Sequence, residues 1–174
     1  RAPEPSTEAA IDPALLAFLS RARAAHHRAD LLETNDRLEP AARELDALLD
    51  GPLPPQGLSL PEVREVLADA LARRADLRSR LGHFDAAAGD VERGLELAAE
   101  VSYFRGHLFE VQGLLEERRA AHLRAQADRW LEGADAQADN ATRQNLATLR
   151  ADRDRAAERA EQAVDVPRLQ AGRD

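Results

Sequence analysis

The stretch RLGHFDAA, residues 80–87, lies between two segments whose apolar residues recur with helical spacing. Glycine reaches backbone conformations that other residues avoid, so Gly82 is suited to the end of a helix. Phe84 and Ala87 are three positions apart, which places one large and one small side chain on the same face of the following helix. The stretch therefore predicts a tight corner between two antiparallel helices, with Phe84 buried.

The composition favours helices throughout the chain. Only 3% of the 174 residues are aromatic, and alanine and leucine dominate the apolar set. These side chains suit closely packed helices, whereas β-sheets are enriched in β-branched and aromatic residues. There is no cysteine, so disulfides and thiolate chemistry are excluded. We predict an all-α protein that is large enough to bury a core without covalent cross-links.

The net charge of −8 is spread along the chain. Acidic residues outnumber basic ones in the N-terminal, central and C-terminal segments alike. Nucleic acids and anionic membranes bind basic patches, so we expect neither as a partner. No apolar run in the sequence approaches the length of a membrane span, and we expect no direct membrane insertion.

The chain contains arginine but no lysine. Either bidentate ion pairs, which lysine cannot form, or the coding bias of a GC-rich genome explains this choice, and the second explanation favours a bacterial source. Residues 1–12 are polar and contain prolines, as flexible tethers do. A removed secretion signal or lipid anchor would precede such a tether and imply a lipoprotein or a periplasmic or cell-envelope location, which we favour. An ordinary disordered end would leave the protein cytoplasmic.

Turn residues and apolar spacing predict seven helices. Asp12 and Pro13 begin the first helix, as a side-chain cap followed by proline at the first helical position. The loop 51–58 is rich in proline and glycine, and we expect it to be exposed and tolerant of shortening. Residues 167–174 form a frayed tail after Val166. The predicted helices are 13–33, 38–49, 61–80, 84–100, 102–118, 120–132 and 139–164.

The first two helix pairs share a spacing pattern. The motif DxLxxA, which begins at residue 36, recurs as GxFxxA from residue 82, and a proline-rich insert at 51–61 lengthens the interval. A third copy is weaker, because Ala120 and His122 replace the glycine and the aromatic residue. The pattern predicts hairpins that stack, since one hairpin alone cannot bury its apolar face.

This pattern resembles tetratricopeptide-repeat (TPR) proteins over residues 14–132. The resemblance implies a solenoid of stacked antiparallel helical hairpins over 13–132 and a C-terminal capping helix over 133–166. It also implies a non-catalytic scaffold that presents a helical groove to a protein or peptide partner. A plain antiparallel bundle with a coincidental corner is the alternative fold.

In TPR proteins the first helix of each hairpin lines the concave groove, so the resemblance implies partner-binding residues on three helices. The subset that grips peptide C-termini uses lysine and asparagine there, and this chain lacks them, so an adaptor for chaperone tails is not implied. The implied groove residues are Arg23, His26, Asp30, Glu33, Asp69, Asp76, Arg80, His107, Glu110, Glu117 and Arg118.

Catalytic motifs are missing from the sequence. It contains no HExxH, no nucleotide-binding glycine loop and no nucleophile elbow. Paired carboxylates are interleaved with arginine, which favours solvated ion pairs over acid–base catalysis. We therefore expect no enzymatic activity and no cofactor. His26 and Asp30, four residues apart, suggest a metal site as an alternative, but no third ligand accompanies them.

The last predicted helix, 139–164, has a narrow apolar stripe. Small residues allow close helix approach, either within the chain or between two copies. We prefer packing on the preceding hairpin, and a homodimer through 139–164 is the alternative. The stripe contains Leu146, Leu149, Ala156, Ala160 and Ala163.

Overall fold

The computed structural model describes the backbone of residues 12–137 and 140–171, and the side chains of 12–137, 142–159 and 161. The described chain is helical and contains no strand, which confirms the all-α prediction. Most of the predicted tether and the last three residues of the predicted tail lie outside the described residues. The helices are α1 (Pro13–Thr34), α2 (Leu38–Leu49), α3 (Pro61–Arg80), α4 (Phe84–Leu97), α5 (Tyr103–Asp135) and α6 (Asn140–Ala171).

The helix starts follow from capping residues. Asp12 Oδ1 accepts a hydrogen bond of 2.8 Å from the Ala14 backbone nitrogen, and Pro13 is the first residue of α1, as predicted. Ser102 caps α5 in the same way, with its Oγ 3.3 Å from the Arg105 nitrogen. Pro61 begins α3, also as predicted. These signals are local, which is why the sequence alone locates the starts.

Helix α3 lies at the centre of the fold and contacts α1, α2, α4 and α5. One apolar cluster joins α1, α2 and α3 around the fully buried Phe18, Leu45 and Val63. A second joins α3, α4 and α5 around Leu108 and the alanines of α3. Because α3 contributes small alanine side chains to both clusters, the helices on either side can approach it closely. Each described helix therefore packs against the helix that follows it along the chain.

Helix α5 corrects two predictions. The fifth and sixth predicted helices, 102–118 and 120–132, form one helix of 33 residues. The predicted domain boundary between 132 and 133 also falls inside this helix. Apart from His122, the residues around Ala120 are arginine, alanine, leucine, glutamate and glutamine, which are good helix formers, and no glycine or proline interrupts them. The third hairpin is consequently α5 with α6, and its corner follows Asp135.

Two helix ends differ from the prediction. Helix α4 ends at Leu97 instead of residue 100, because Arg105 Nη1 donates to the carbonyl oxygens of Leu95 (3.2 Å) and Ala98 (2.8 Å) and closes the end. Helix α6 continues to Ala171 and includes residues that we predicted as tail. Proline removes one helical hydrogen bond, so Pro167 does not have to end a long helix.

The loop between α2 and α3 is partly anchored. Leu53 and Leu58 are 38% and 47% exposed, consistent with the predicted exposure of the loop. However, Pro54 is buried, and an Arg21 guanidinium nitrogen donates to the carbonyl oxygen of Pro52. A short 3₁₀ turn at Gly57–Ser59 leads into α3. The carbonyl oxygen of Leu58 also accepts from Arg64 Nη1 at 2.9 Å, so the loop is held mainly through its backbone and the buried Pro54, while the two leucine side chains stay exposed.

The predicted burial of Phe84 is wrong. Its ring is half-buried, with its centroid 5.4 Å from the His122 ring and 5.9 Å from the Arg119 guanidinium carbon. Ala87, the small residue of the motif, is fully buried. Because polar side chains of α5 lie opposite the ring, it is covered on one side only, and the alanine supplies the core contact.

Candidate functional site

A surface depression of about 520 Å³ lies where α1, α3 and the start of α5 meet. Helix α1 contributes residues one turn apart, which places them on one face. Helix α5 contributes one aromatic ring near its start. The floor is formed by Leu19, Ala22, Val66 and Phe104, and the rim by Arg23, His26, His27, Asp30 and Asp69.

An aromatic cluster borders this depression. Tyr103 is 78% exposed and lies edge-on to Phe104, with ring centroids 5.6 Å apart. The His107 ring stacks on the other side of Tyr103 at 6.2 Å. Exposed aromatic rings beside an apolar floor favour contact with another molecule, because they bury large areas with few rotatable bonds.

His26 forms the electrostatic centre of the rim. Its Nε2 lies 3.8 Å from Asp69 Oδ2. Burial lowers the pKa of His26 below its usual value, and the positive charge of Arg73 adds to this effect, while the carboxylates of Asp69 and Asp30 oppose it. At neutral pH the imidazole is consequently uncharged and presents one donor and one acceptor nitrogen.

A ladder of ion pairs continues from the depression across α1, α3 and α5. Acidic and basic side chains alternate along it, so each interior charge has two neighbours of opposite sign. Arg73 Nη2 lies 3.1 Å from Glu33 Oε2, and Arg118 Nη1 lies 2.8 Å from Asp76 Oδ1. In order, the pairs are Asp30–Arg73, Arg73–Glu33, Glu33–Arg80, Arg80–Asp76 and Asp76–Arg118.

This ladder divides the residues that the resemblance implied for the groove. Arg80 and Arg118 are held by intramolecular carboxylates, and Arg118 also donates to Ser79. Arg23, in contrast, is exposed and has no ion-pair partner among the described residues. Partly exposed ion pairs contribute little stability individually but fix side-chain positions as a network. Of the three arginines implied for the groove, Arg23 is therefore the one that no described carboxylate holds.

The remaining implied residues lie along α5. His107 Nδ1 is 3.4 Å from Glu110 Oε2, so these two form a local pair beside the aromatic cluster. Glu117 is exposed on the same helix, toward the Arg118 end of the ladder. The structure thus brings Arg23, His26 and the α1 and α3 acids together, and it leaves the α5 residues at the margin.

Sequence reasoning missed the apolar floor. Leu19 and Ala22 lie on the apolar face of α1, and the role of Phe104 depends on where α5 crosses α3. No local signal in the sequence fixes that crossing. Arg73, which completes the ladder, was also missed, although it follows Asp69 by four residues on one face of α3.

A second charge network is buried and structural. Arg74 is 5% exposed and makes a bidentate contact with Asp90, through Nε at 3.0 Å and Nη2 at 2.6 Å. Arg74 also donates to Asp46 at 2.6 Å, and Arg78 donates to Asp90 at 2.8 Å. Desolvation lowers the pKa of Arg74, but its bonds and attraction to Asp90 and Asp46 outweigh this and raise the pKa overall. The network joins α2, α3 and α4.

The metal alternative lacks further ligands in the part of the chain that is described. Within it, no group of three or more histidine, aspartate or glutamate side chains is arranged to hold a metal ion. The Asp30 carboxylate accepts from Arg73, and the neighbour of His26 is Asp69. Among the described helices, none has the length and hydropathy required to cross a bilayer.

Comparison with known proteins adds no relative from which a function could be transferred. The chain matches no protein-family model, no curated protein and no solved structure.

Proposed function

We propose that this protein is a non-catalytic, TPR-like scaffold that binds a protein or peptide partner on the face formed by α1, α3 and α5. Two observations support the fold part of the proposal. The corners after α1 and α3 have the same hydrogen bonds, and α3 packs between the helices that precede and follow it. Repeated hairpins that stack in this way present one continuous surface.

The depression between α1, α3 and α5 is the observation that carries the binding part. It combines an open apolar floor with Arg23, a cation that has no internal partner among the described residues. An apolar floor with a few polar groups around it is the usual composition of a recognition site. Of the charged rim residues, Asp30 pairs with Arg73 and Asp69 lies beside His26. The ion-pair ladder holds the neighbouring side chains in place, so binding requires little rearrangement.

The chemistry of the rim defines the ligand class. A guanidinium group binds a carboxylate through two parallel hydrogen bonds, so Arg23 is suited to an acidic residue. The floor around Val66 and Phe104 is suited to an aliphatic or aromatic side chain. We therefore propose a peptide segment with an acidic residue next to a large apolar residue.

Selection from a random-peptide display library tests this proposal. The wild-type chain should enrich sequences that pair an acidic with an apolar residue, and Val66→Glu should abolish the enrichment, because it places a charge in the floor. Glu92→Lys on α4 is a control at an exposed position outside the depression. Peptides without acidic residues, or peptides that still bind Val66→Glu, would refute the proposed site. Circular dichroism verifies that each variant is folded.

A further inference from the structure

Helices α5 and α6 form an arm that leaves the body of the protein. Among the described helices, α6 packs only against α5, although it is 32 residues long. Leu131 and Leu146 are the fully buried apolar residues between the two helices in the described part of the arm. Beyond the part of α5 that packs against α3 and α4, each helix of the arm has one neighbour among the described helices, so its apolar side chains are covered on one side only.

Ion pairs between described side chains fix the two helices of the arm relative to each other. Arg150 Nη2 lies 2.5 Å from Asp135 Oδ2, close to the corner of the hairpin. Arg153 pairs with Asp128 in the middle, and Arg124 pairs with Glu161 farther along. The register is antiparallel, and it places residues near 128 of α5 beside residues near 153 of α6.

One face of the arm has an exposed apolar stripe. On α5 it consists of Leu123 and Trp130, which are 58% and 62% exposed and seven residues apart. On α6 it consists of Leu149, 46% exposed, and the exposed Ala156, also seven residues apart. A spacing of seven keeps side chains on one helix face. Each helix therefore contributes one line of apolar side chains.

The two lines meet on the same face of the arm. Leu123, Ala127 and Ala156 together line a shallow groove of about 230 Å³ between the helices. Trp130 follows Ala127 by three residues, and Leu149 precedes Ala156 by two turns, so the stripe extends along the groove toward the corner. Large apolar residues in a continuous exposed stripe indicate an interface.

Charges beside the stripe indicate what covers it. Arg129 directly precedes Trp130 on the α5 side, is exposed and has no ion-pair partner among the described residues. Asp152 lies on the α6 side, accepts a hydrogen bond from Arg155 of the same helix and keeps 57% of its side chain exposed. Both adjoin the Asp128–Arg153 pair, so they lie at the same level along the arm. At this level along the arm, the stripe therefore has a basic residue on its α5 side and an acidic residue on its α6 side.

We propose that the stripe binds the same stripe of a second copy of this chain, forming a two-fold symmetric, four-helix bundle. With the symmetry axis parallel to the helices, α5 of each copy lies over α6 of the other. The level of each residue is preserved, and Arg129 of each copy faces Asp152 of the other. Isologous contacts of this kind repeat every favourable pair twice. The inference does not depend on the proposed peptide site.

The single tryptophan provides a direct readout. Trp130 is the only tryptophan in the chain, and burial of an exposed indole shifts its emission to shorter wavelength. Raising the protein concentration should shift the emission to the blue, and sedimentation equilibrium should show a dimer over the same range. An emission maximum that stays constant while the protein remains monomeric would overturn the proposal.

Variants identify the interface. Leu123→Glu should yield a monomer, whereas Leu31→Glu, at a leucine that is 54% exposed on α1, should leave the dimer unchanged. Arg129→Asp should weaken dimerisation about fivefold or more, and Arg129→Asp combined with Asp152→Arg should restore it, because the pair is re-formed in reverse. A dimer that persists in Leu123→Glu, or a double variant no better than the single one, would refute this interface. Exposed positions are used throughout, and circular dichroism verifies folding.

Discussion

Asp36 and Gly82 occupy equivalent corners, and both have a left-handed backbone, with φ of 57° and 82°. The Asp36 nitrogen donates to the carbonyl oxygen three residues earlier at 2.9 Å, and the Gly82 nitrogen does the same at 3.1 Å. In both corners the next residue donates to the carbonyl five residues earlier at 2.9 Å. These bonds define a Schellman cap, so the two helix pairs turn by the same mechanism.

The shared conformation predicts opposite effects of glycine at the two corners. Gly82→Ala should destabilise the protein by about 1 kcal/mol, because alanine is strained at positive φ. No atom lies within 4 Å of the added Cβ, so backbone strain is the whole of the expected cost. Asp36→Gly should be neutral or slightly stabilising, since it removes the same strain at the cost of a more flexible unfolded chain. Urea denaturation measures both. A stabilising Gly82→Ala would contradict the equivalence of the two corners.

Two glycines of α4 make a matched pair. A Cβ on Gly94 would lie 2.5 Å from Leu108 Cδ2, and Leu108 is fully buried, whereas a Cβ on Gly89 meets nothing within 4 Å. Gly94→Ala should cost about 1–3 kcal/mol through overpacking between α4 and α5. Gly89→Ala should stabilise by about 0.5–1 kcal/mol through helix propensity. Equal effects in thermal or urea unfolding would mean that α5 does not cross α4 at Gly94.

The buried network around Arg74 should tolerate no unpaired charge. Asp90→Ala removes both bonds of the bidentate contact and should cost about 3–5 kcal/mol. Asp85→Ala is the control, because the Asp85 side chain is fully exposed in its pair with Arg119 and the change should cost less than about 1 kcal/mol. Similar costs for the two substitutions in urea unfolding would mean that the Arg74–Asp90 contact is not buried.

His26 should make stability depend on pH. Burial chiefly lowers its pKa in the folded state below 6.5, so the unfolded chain binds the proton more strongly between the two pKa values. The contribution of neutral His26 is therefore complete above the unfolded pKa and is lost as the pH falls through this window. Between about pH 7.5 and about pH 5.5, His26→Gln should lose less unfolding free energy than the wild type.

The neighbouring histidine provides the control for this measurement. His27 is exposed and follows His26 directly, so His27→Gln changes the composition equally. A wild-type slope retained in His26→Gln and lost in His27→Gln would contradict the assignment.

The sequence predicts where helices begin and end better than it predicts how far they continue and where they cross one another. Asp12, Pro61 and Gly82 act through bonds within one turn, and the structure has the helix ends that they predict. The continuity of α5 through Ala120 could not be predicted from a spacing pattern, because good helix formers can continue a helix wherever tertiary contacts favour it. A break in the helix near Ala120 would have required a glycine or a proline there.

The candidate site was predictable only on its polar side. His26 and Asp30 share a face of α1 by their spacing, and the structure places both on the rim. The floor depends on α5 bringing Phe104 next to Val66, and no short-range signal encodes that approach. The pairing of Arg80 with Glu33, 47 residues earlier, is equally non-local, which is why the sequence did not distinguish a bound arginine from an available one.

The affinity of one library-selected acidic peptide for three proteins tests the central claim most directly. Arg23 in the depression and Arg93 on α4 are both exposed and without an ion-pair partner among the described residues, so reversing either charge changes the net charge equally. We predict that Arg23→Glu raises the dissociation constant, measured by fluorescence anisotropy, about tenfold or more, while Arg93→Glu changes it less than about twofold. Equal effects of the two reversals, or a larger effect at Arg93, would contradict the claim that the α1–α3–α5 face binds the partner.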